Sequence, residues 1–152
     1  SMNRLQIQLG FALILVGLLA GLGMPFYTSP RLGLAAHLVG ISGGLVLIAL
    51  GALAKSFLLG RRASAVMMWT WVYAAYANWV ASLIGAVTGA SRLTPIAGAG
   101  TQGNALAENV VAFLLQSLAV AAIVGTVLAV RGFRKEQTAP AAQPIPAPAP
   151  QA

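Results

Sequence analysis

The sequence contains no cysteine and only two acidic residues among its 152. The first absence excludes structural disulfides, thiol redox chemistry, cysteine nucleophiles and thiolate-bound metals. Charged residues make up 7% of the chain, whereas a soluble domain carries about a quarter. So few charges cannot keep a globular surface hydrated, which excludes a soluble monomer. The chain also lacks a glycine-rich phosphate loop, a carboxylate pair, a Ser/His/Asp set and a two-histidine metal spacing, so hydrolase, kinase and zinc chemistry have no support.

Hydrophobic residues make up 59% of the chain, and the few charges divide it into four long uncharged runs. Each run reaches the roughly 20 residues that a helix needs to cross the hydrocarbon layer. A helix also satisfies every backbone polar group inside lipid. The sequence therefore predicts an all-α fold, an integral membrane bundle of four transmembrane helices at about 7–28, 33–57, 64–89 and 107–131.

The basic residues are distributed unevenly around these predicted helices. An even number of spans brings both termini to one side, and only Arg31 and Arg92 fall on the other side. Such an excess of basic residues marks the cytoplasmic side, so the net charge of +7 indicates membrane topology before nucleic-acid binding. The basic residues assigned to the cytoplasmic side are Arg4, Lys55, Arg61, Arg62, Arg131, Arg134 and Lys135.

The segments outside the spans have their own character. Residues 1–6 are predicted to form a cytoplasmic N-terminal end, in which Ser1 before Met2 resembles the remnant of an expression tag. The membrane domain covers 7–132, and residues 133–152 are basic and then rich in Pro and Ala, which predicts a disordered tail. The outer loop from Gly89 to Asn104 is longer than a bundle connection needs. It either caps a site on the outer face or is a solvated connector.

Polar residues inside membrane spans are costly and therefore informative. The second predicted helix contains His37, the third contains Asn78 and Ser82, and the fourth begins with Glu108. At 1.5 Å per residue, His37, Ser82 and Asn78 lie about 6, 10 and 16 Å below the outer helix ends. These groups therefore share the outer half of the bilayer, which points to a common site.

Small residues follow His37 along one helical face. Gly40 and Gly44 lie at i+3 and i+7 from it. Such a face lets membrane helices approach closely, with polar side chains hydrogen-bonding between them. Alternatively, a flat prosthetic group lies against the glycines and the imidazole binds its metal. A histidine in a span can also relay protons, and the residues alone leave these alternatives open.

Two further residues each have two possible roles. Glu108, at the start of the fourth predicted helix, either stabilises the helix dipole or acts as an acid, a base or a substrate contact. Trp79 beside Asn78 either packs between helices or faces an aromatic substrate.

Four segments of the chain resemble the hydroxylaminobenzene mutase family of small membrane isomerases, and more distantly the styrene oxide isomerases. The segments read SPRLGLAAHL (29–38), YANWVASL (76–83), PIAGAGTQG (95–103) and ENVVAFLL (108–115). With the four-span layout, they extend the resemblance over most of residues 7–132.

The resemblance implies a homotrimer that holds haem b between subunits through His37. It also implies a rearrangement without net redox change. A mutase moves the hydroxyl of an N-aryl hydroxylamine onto the ring to give an aminophenol, and the related isomerases open an aryl epoxide to give an aldehyde. In both cases ferric haem would act as a Lewis acid on the substrate oxygen. A dry pocket would protect the cation-like intermediate from water, and Asn78 would orient the substrate.

The chain departs from the family pattern at three positions. Family members carry an Asn six residues after the His, where this chain has Gly43, preceded by Ser42. Mutases carry a Glu two residues after the His, where this chain has Val39, and epoxide isomerases carry a Tyr at the position of Ser82. The missing Tyr disfavours styrene oxide as the substrate. The candidate catalytic residues are Asn78, Ser82, Ser42 and Glu108, and the candidate cofactor-binding residues are His37, which would bind the metal, Gly40 and Gly44.

The sequence thus predicts a haem-dependent isomerase of the bacterial plasma membrane, with both termini in the cytoplasm and a small lipophilic aromatic substrate. An epoxide-to-carbonyl isomerase of the same family is the first alternative. A small four-span transporter without haem is another, although it would want a carboxylate deep in a span, and Glu108 lies at the rim. A structural subunit that uses its small-residue faces for packing is the last.

Overall fold

Four long helices and one short helix account for most of the computed structural model, which describes residues 2–133. Short 3-10 turns follow the first two helices, and no strand occurs in the described part of the chain. The all-α prediction is therefore confirmed for these residues. Ser1, Arg134, Lys135 and the rest of the predicted tail lie outside them. The helices are α1 (Met2–Leu22), α2 (Pro30–Ala52), α3 (Arg61–Thr88), α4 (Pro95–Gly98) and α5 (Ala105–Phe133).

The helix ends lie where the local sequence stops or starts a helix. Pro25 lacks an N–H group and directs the chain into a 3-10 turn after α1, so this helix ends at Leu22 and not near 28. Pro30 occupies the first position of α2, which suits its fixed φ angle. Gly89 ends α3 in the left-handed conformation with φ of 80°. The Asn104 side chain accepts the N–H of Ala107 at 2.8 Å and caps α5.

Three of the four long helices, α1, α2 and α5, are long and apolar enough to cross a membrane. The third, α3, does not meet the same measure of apolar composition, because polar and aromatic residues interrupt its hydrophobic positions. Of the four predicted spans, three therefore correspond to helices in residues 2–133 that are long and apolar enough to cross a membrane.

Consecutive long helices run antiparallel, and hydrogen bonds join their ends. At one end of the bundle Leu58 N–H donates to the Gly132 carbonyl at 3.2 Å. At the other end Ser29 N–H donates to the Ala86 carbonyl at 3.0 Å. The first and last described residues consequently lie at the same end of the bundle.

Glycines bring the backbones of α1 and α2 into direct contact. A Cβ atom added to Gly40 would lie 2.5 Å from Gly17 Cα, and one added to Gly44 would lie 2.5 Å from the Gly10 carbonyl oxygen. We call this contact the glycine seam: Gly10, Gly17 and Gly21 of α1 with Gly40, Gly44 and Gly51 of α2. This result corrects the expectation that Gly40 and Gly44 lie against a prosthetic group, because α1 covers both residues and leaves no room for a macrocycle on them.

Beyond the seam, α3 completes a core with the first two helices. Leu13, Leu47, Met68 and Val72 are buried together between α1, α2 and α3. The Tyr76 hydroxyl donates to the Leu9 carbonyl at 2.8 Å, which fixes α3 against α1. The helix α5 packs on the far side of α3, so α3 is the helix that joins the two halves of the bundle.

The glycine seam predicts an unusual response to a single methyl group. Alanine normally stabilises a helix interior by about 1 kcal/mol relative to glycine, but Gly44→Ala should lower the free energy of unfolding by about 1–2 kcal/mol because overpacking costs more. Unfolding in mixed detergent micelles measures this. Gly60→Ala is the matched control, since a Cβ there meets nothing within 4 Å. Equal stability of the two variants would contradict the seam.

Candidate active site

A cavity of about 180 Å³ lies between α2, α3 and α5, and we call it the interhelical cavity. Side chains at i, i+3, i+4 and i+7 share one helical face, which explains why these positions of α2 and α3 line it together. Its lining residues are Val39, Ser42, Gly43 and Val46 of α2, Trp71, Ala74, Ala75 and Asn78 of α3, and Leu118 and Ala122 of α5.

The interhelical cavity brings together several residues that the sequence identified separately. Ser42 and Asn78, both predicted catalytic residues, line the same space. Val39 and Gly43, two positions at which the chain departs from the pattern of the family it resembles, line it as well. Two of the three departing positions therefore line a single cavity with a hydroxyl and an amide in an otherwise apolar wall.

Trp71 is a lining residue that the sequence analysis missed. Its indole Nε1 is buried and has no hydrogen-bond partner within residues 2–133. A Cβ on Gly125 would lie 2.8 Å from this nitrogen, so Nε1 faces the backbone of α5, where a buried donor without an acceptor costs about 1–3 kcal/mol. Trp71 precedes Asn78 by seven residues, and helical periodicity would have placed it on the same face.

The imidazole of His37 lies on another side of α2. It is half-buried beside α1, and Nδ1 lies 3.0 Å from the Gly17 carbonyl oxygen. At 100° per residue, His37 is roughly 140–160° around the helix from Ser42 and Val39. Within a single chain, the structure thus separates His37 from the interhelical cavity.

The hydrogen bond of His37 fits a metal-binding imidazole. A carbonyl only accepts, so Nδ1 carries the proton and a neutral ring keeps its lone pair on Nε2. Histidines that bind metals usually donate their other N–H to a carboxylate or a backbone carbonyl. No group of three His, Cys, Asp or Glu side chains forms a metal site in the described residues, whereas haem needs only an axial ligand from the protein. The donor set fits haem better than a bare metal ion.

Glu108 holds the outer loop and does not reach the interhelical cavity. Its buried carboxylate accepts the N–H groups of Ser91 and Gly103 at 3.0 Å and that of Arg92 at 2.9 Å. These donors lie at both ends of the loop that contains α4. The Ser91 hydroxyl also donates to the Thr101 carbonyl across the loop. A cavity of about 350 Å³ is open between these residues.

Ser82 and Trp79 also lie apart from the interhelical cavity. Ser82 lines a cavity of about 20 Å³ under the outer loop, beside Leu32 and Val111. The Trp79 indole packs towards the glycine seam, where a Cβ on Gly40 would lie 3.1 Å from its Cδ1. Of the predicted catalytic residues, the structure therefore brings only Ser42 and Asn78 together.

Comparison with known proteins identifies the relatives of the chain. The family model described as styrene oxide isomerase matches residues 2–134. Hydroxylaminobenzene mutase HabB of Ectopseudomonas oleovorans is 41% identical over 150 residues, which cover 95% of this chain and 92% of that protein. Hydroxylaminobenzene mutase HabA of the same organism is 36% identical over 125 residues, which cover 82% and 93%. No solved structure matches the chain.

The family model and both relatives are named for isomerisations, so the expectation of an isomerase is confirmed. The chain belongs to the styrene oxide isomerase family. The resemblance to hydroxylaminobenzene mutases that the four sequence segments indicated is also confirmed.

The contacts of Glu108 predict its effect on the outer loop. In Glu108→Gln an amide NH₂ group would replace one carboxylate oxygen. It cannot accept the backbone N–H that this oxygen binds, and loss of a hydrogen bond to a charged group costs about 1.5–3 kcal/mol. The amide protons of Ser91, Arg92 and Gly103 should exchange with solvent at least tenfold faster, since about 1.4 kcal/mol is a factor of ten. Hydrogen exchange measures this, with Gln102→Ala in the same loop as the control because Gln102 is exposed. Unchanged exchange in Glu108→Gln would contradict the proposed loop anchor.

Proposed function

We propose that the protein is a membrane-embedded mutase that rearranges an aromatic hydroxylamine into an aminophenol. The observation that carries this proposal is the 41% identity to hydroxylaminobenzene mutase HabB over 95% of the chain. The interhelical cavity supports it, because apolar walls with an amide and a hydroxyl suit a small aromatic substrate with one polar group.

The proposed setting is a bilayer crossed by four helices. The helix α3 has 28 residues, about 42 Å at 1.5 Å per residue, which is enough to cross the hydrocarbon layer. It packs between α2 and α5, two of the three apolar helices. Exposed residues such as Val66 and Val87 give it further apolar surface. We therefore count α3 as the fourth span.

The proposed orientation follows from the charges at the two ends of the bundle. Among residues 2–133, antiparallel helices bring Arg4, Lys55, Arg61, Arg62 and Arg131 to one end, and only Arg31 and Arg92 lie near the other. Because an excess of basic residues stays in the cytoplasm, we assign the first end to the cytoplasm of a bacterial plasma membrane. The outer loop held by Glu108 then faces the outside.

The proposed reaction conserves all atoms of the substrate. The N–O bond breaks, a C–O bond forms on the ring, and the ring proton that is displaced ends on nitrogen. Asn78 would hold the substrate oxygen or nitrogen through its amide, and Ser42 would offer a second hydrogen bond from α2. Val39, Val46 and Leu118 would exclude water, which would otherwise trap the cation-like intermediate.

Haem b is the proposed cofactor, with His37 as its protein ligand. The Nδ1–H bond to the Gly17 carbonyl leaves Nε2 as the ligating atom. When bound, haem iron supplies a Lewis acid for the substrate oxygen.

The separation of His37 from the interhelical cavity supports a homo-oligomer. The two lie on different sides of α2, so one chain alone does not bring Asn78 and His37 to the same substrate. A second copy would supply the missing half, as in the trimer that the family resemblance implies. The outward faces of the helices carry large exposed apolar side chains such as Leu38, Leu45 and Phe113, which suit contact with lipid or with another copy.

Epoxide-to-carbonyl isomerisation is the second candidate function, and the match to the styrene oxide isomerase model favours it. The same cavity would accept an aryl epoxide, whose C–O bond breaks before a hydride shift. Ser82, where the epoxide isomerases carry a Tyr, argues for the mutase reaction.

A product assay with two substrates tests the proposal. Purified protein in lipid, loaded with haem, should convert phenylhydroxylamine to an aminophenol faster than it converts styrene oxide to an aldehyde. Asn78→Ala should lower kcat/KM at least tenfold, because about 1.4 kcal/mol of substrate hydrogen bonding corresponds to that factor. Gln116→Ala, an exposed polar position on α5, should keep the wild-type rate. Preferred turnover of styrene oxide would favour the second candidate, and full activity of Asn78→Ala would remove the interhelical cavity from the site.

The cofactor has its own test. The wild-type protein from cells supplied with haem should be coloured. The intensity of its Soret band should correspond to about one haem per protein chain. In His37→Ala this absorbance per protein should fall at least tenfold, because the only histidine is lost. Gln116→Ala again serves as the control. A folded, colourless wild-type protein would contradict haem as the cofactor.

A further inference from the structure

We propose that Gly17 and Gly21 of α1 form a seat that fixes the orientation and tautomer of the His37 imidazole. We call these two residues the imidazole seat. Its purpose rests on the proposed function, in which Nε2 of His37 binds haem iron. Its geometry rests only on contacts within the chain, so the two can be tested apart.

The seat begins with a carbonyl that one glycine leaves accessible. In α1 the Gly17 carbonyl accepts the N–H of Gly21, four residues later, and keeps a second lone pair. A Cβ on residue 21 would lie 2.5 Å from His37 Nδ1 and 3.1 Å from Cε1. Because Gly21 has none, the imidazole rests on the helix and Nδ1 approaches the Gly17 oxygen to 3.0 Å.

The carbonyl then determines which ring nitrogen carries the proton. A carbonyl oxygen cannot donate, so the hydrogen bond requires Nδ1–H. In the neutral ring the lone pair is consequently on Nε2. Within residues 2–133 the hydrogen bond of His37 is made by Nδ1, and the ring is only half-buried. The seat thus presents Nε2 as a preformed ligand.

The glycine seam fixes the position of the imidazole seat along the axis of α2. Gly17 touches Gly40 backbone to backbone, and Gly40 is one turn from His37 on the same face. No side chain separates Gly17 from the backbone of α2 at this point, so the acceptor carbonyl belongs to two helices in direct backbone contact. Gly17 and Gly21 are therefore positioning residues for His37 and not merely packing residues.

The single histidine of the chain makes the seat directly measurable. The full chain is labelled with ¹⁵N-histidine, purified without a histidine tag and reconstituted in lipid before any porphyrin is added. We expect one imidazole, protonated at Nδ1 and unprotonated at Nε2, in two-bond ¹⁵N–¹H spectra recorded at a pH where the ring is neutral. An Nε2–H ring, or rapid averaging between tautomers, would overturn the proposal without any variant.

A pair of glycine variants separates positioning from packing. Gly21→Ala should mix the tautomers and weaken binding of added ferric protoporphyrin IX at least tenfold, because the new Cβ displaces the ring. Gly85→Ala introduces crowding outside the seam, where a Cβ would lie 2.9 Å from the Ala90 oxygen and 3.0 Å from Leu32 Cδ1. It should keep the wild-type tautomer and affinity. Equal effects of both variants on the imidazole spectrum would show that Gly21 only contributes to packing, and would overturn the proposal.

The outcomes for the seat and for the proposed function are distinguishable. If the wild-type ring is Nδ1-protonated but ferric protoporphyrin IX does not bind, the seat stands and haem fails as the cofactor. If protoporphyrin binds through His37 to a protein whose free ring has no preferred tautomer, the cofactor stands and the seat fails.

Discussion

The backbone contact between α1 and α2 is the constraint on which the rest of the structure depends. Gly17 and Gly40 meet without side chains between them, and Gly10 and Gly44 repeat this further along the seam. Inside a bilayer, close packing replaces the hydrophobic effect as the force that joins helices. The contact fixes the rotation of α2 about its axis, and that rotation assigns every other face of the helix. His37 is directed to α1, while Ser42 and Val39 are directed to α3 and α5.

Periodicity and composition predicted most of the fold but only part of the site. Long uncharged runs were enough for the helices, since lipid permits few other structures. The apolar run that predicted a helix to about 28 contains Pro25, which lacks an N–H group and directs the chain into a 3-10 turn, so α1 ends at Leu22. Gly40 and Gly44 were open to two readings because a glycine face fits a helix and a flat ligand equally well. Only the position of α1 decides between them, and no local pattern in α2 encodes it.

The polar residues within and near the predicted spans fall into two groups, those whose polar atoms bind the backbone and those whose polar atoms do not. Glu108 and Tyr76 direct their oxygens to backbone groups of the same chain, which removes the cost of burying them and stabilises the fold. Trp71 Nε1 has no such partner in residues 2–133 and lies against Gly125, while Trp71 lines the cavity with Asn78 and Ser42. The sequence grouped Glu108 and Asn78 by depth alone. The hydrogen bonds of Glu108 assign it to the loop, and the position of Asn78 in the cavity wall leaves it as a candidate for binding.

His37 combines both roles, and this is where the fold and the proposed chemistry meet. One ring nitrogen is bound to the backbone of α1, as in a structural residue, and the other is left without such a bond. A ligand that binds a metal must be both fixed and unsatisfied, because a mobile imidazole loses orientation and a fully bonded one has no lone pair to offer. Glycine at position 21 achieves this without adding a polar side chain to the membrane. The small residues that first suggested a cradle for a cofactor therefore act one step away from it, by positioning its ligand.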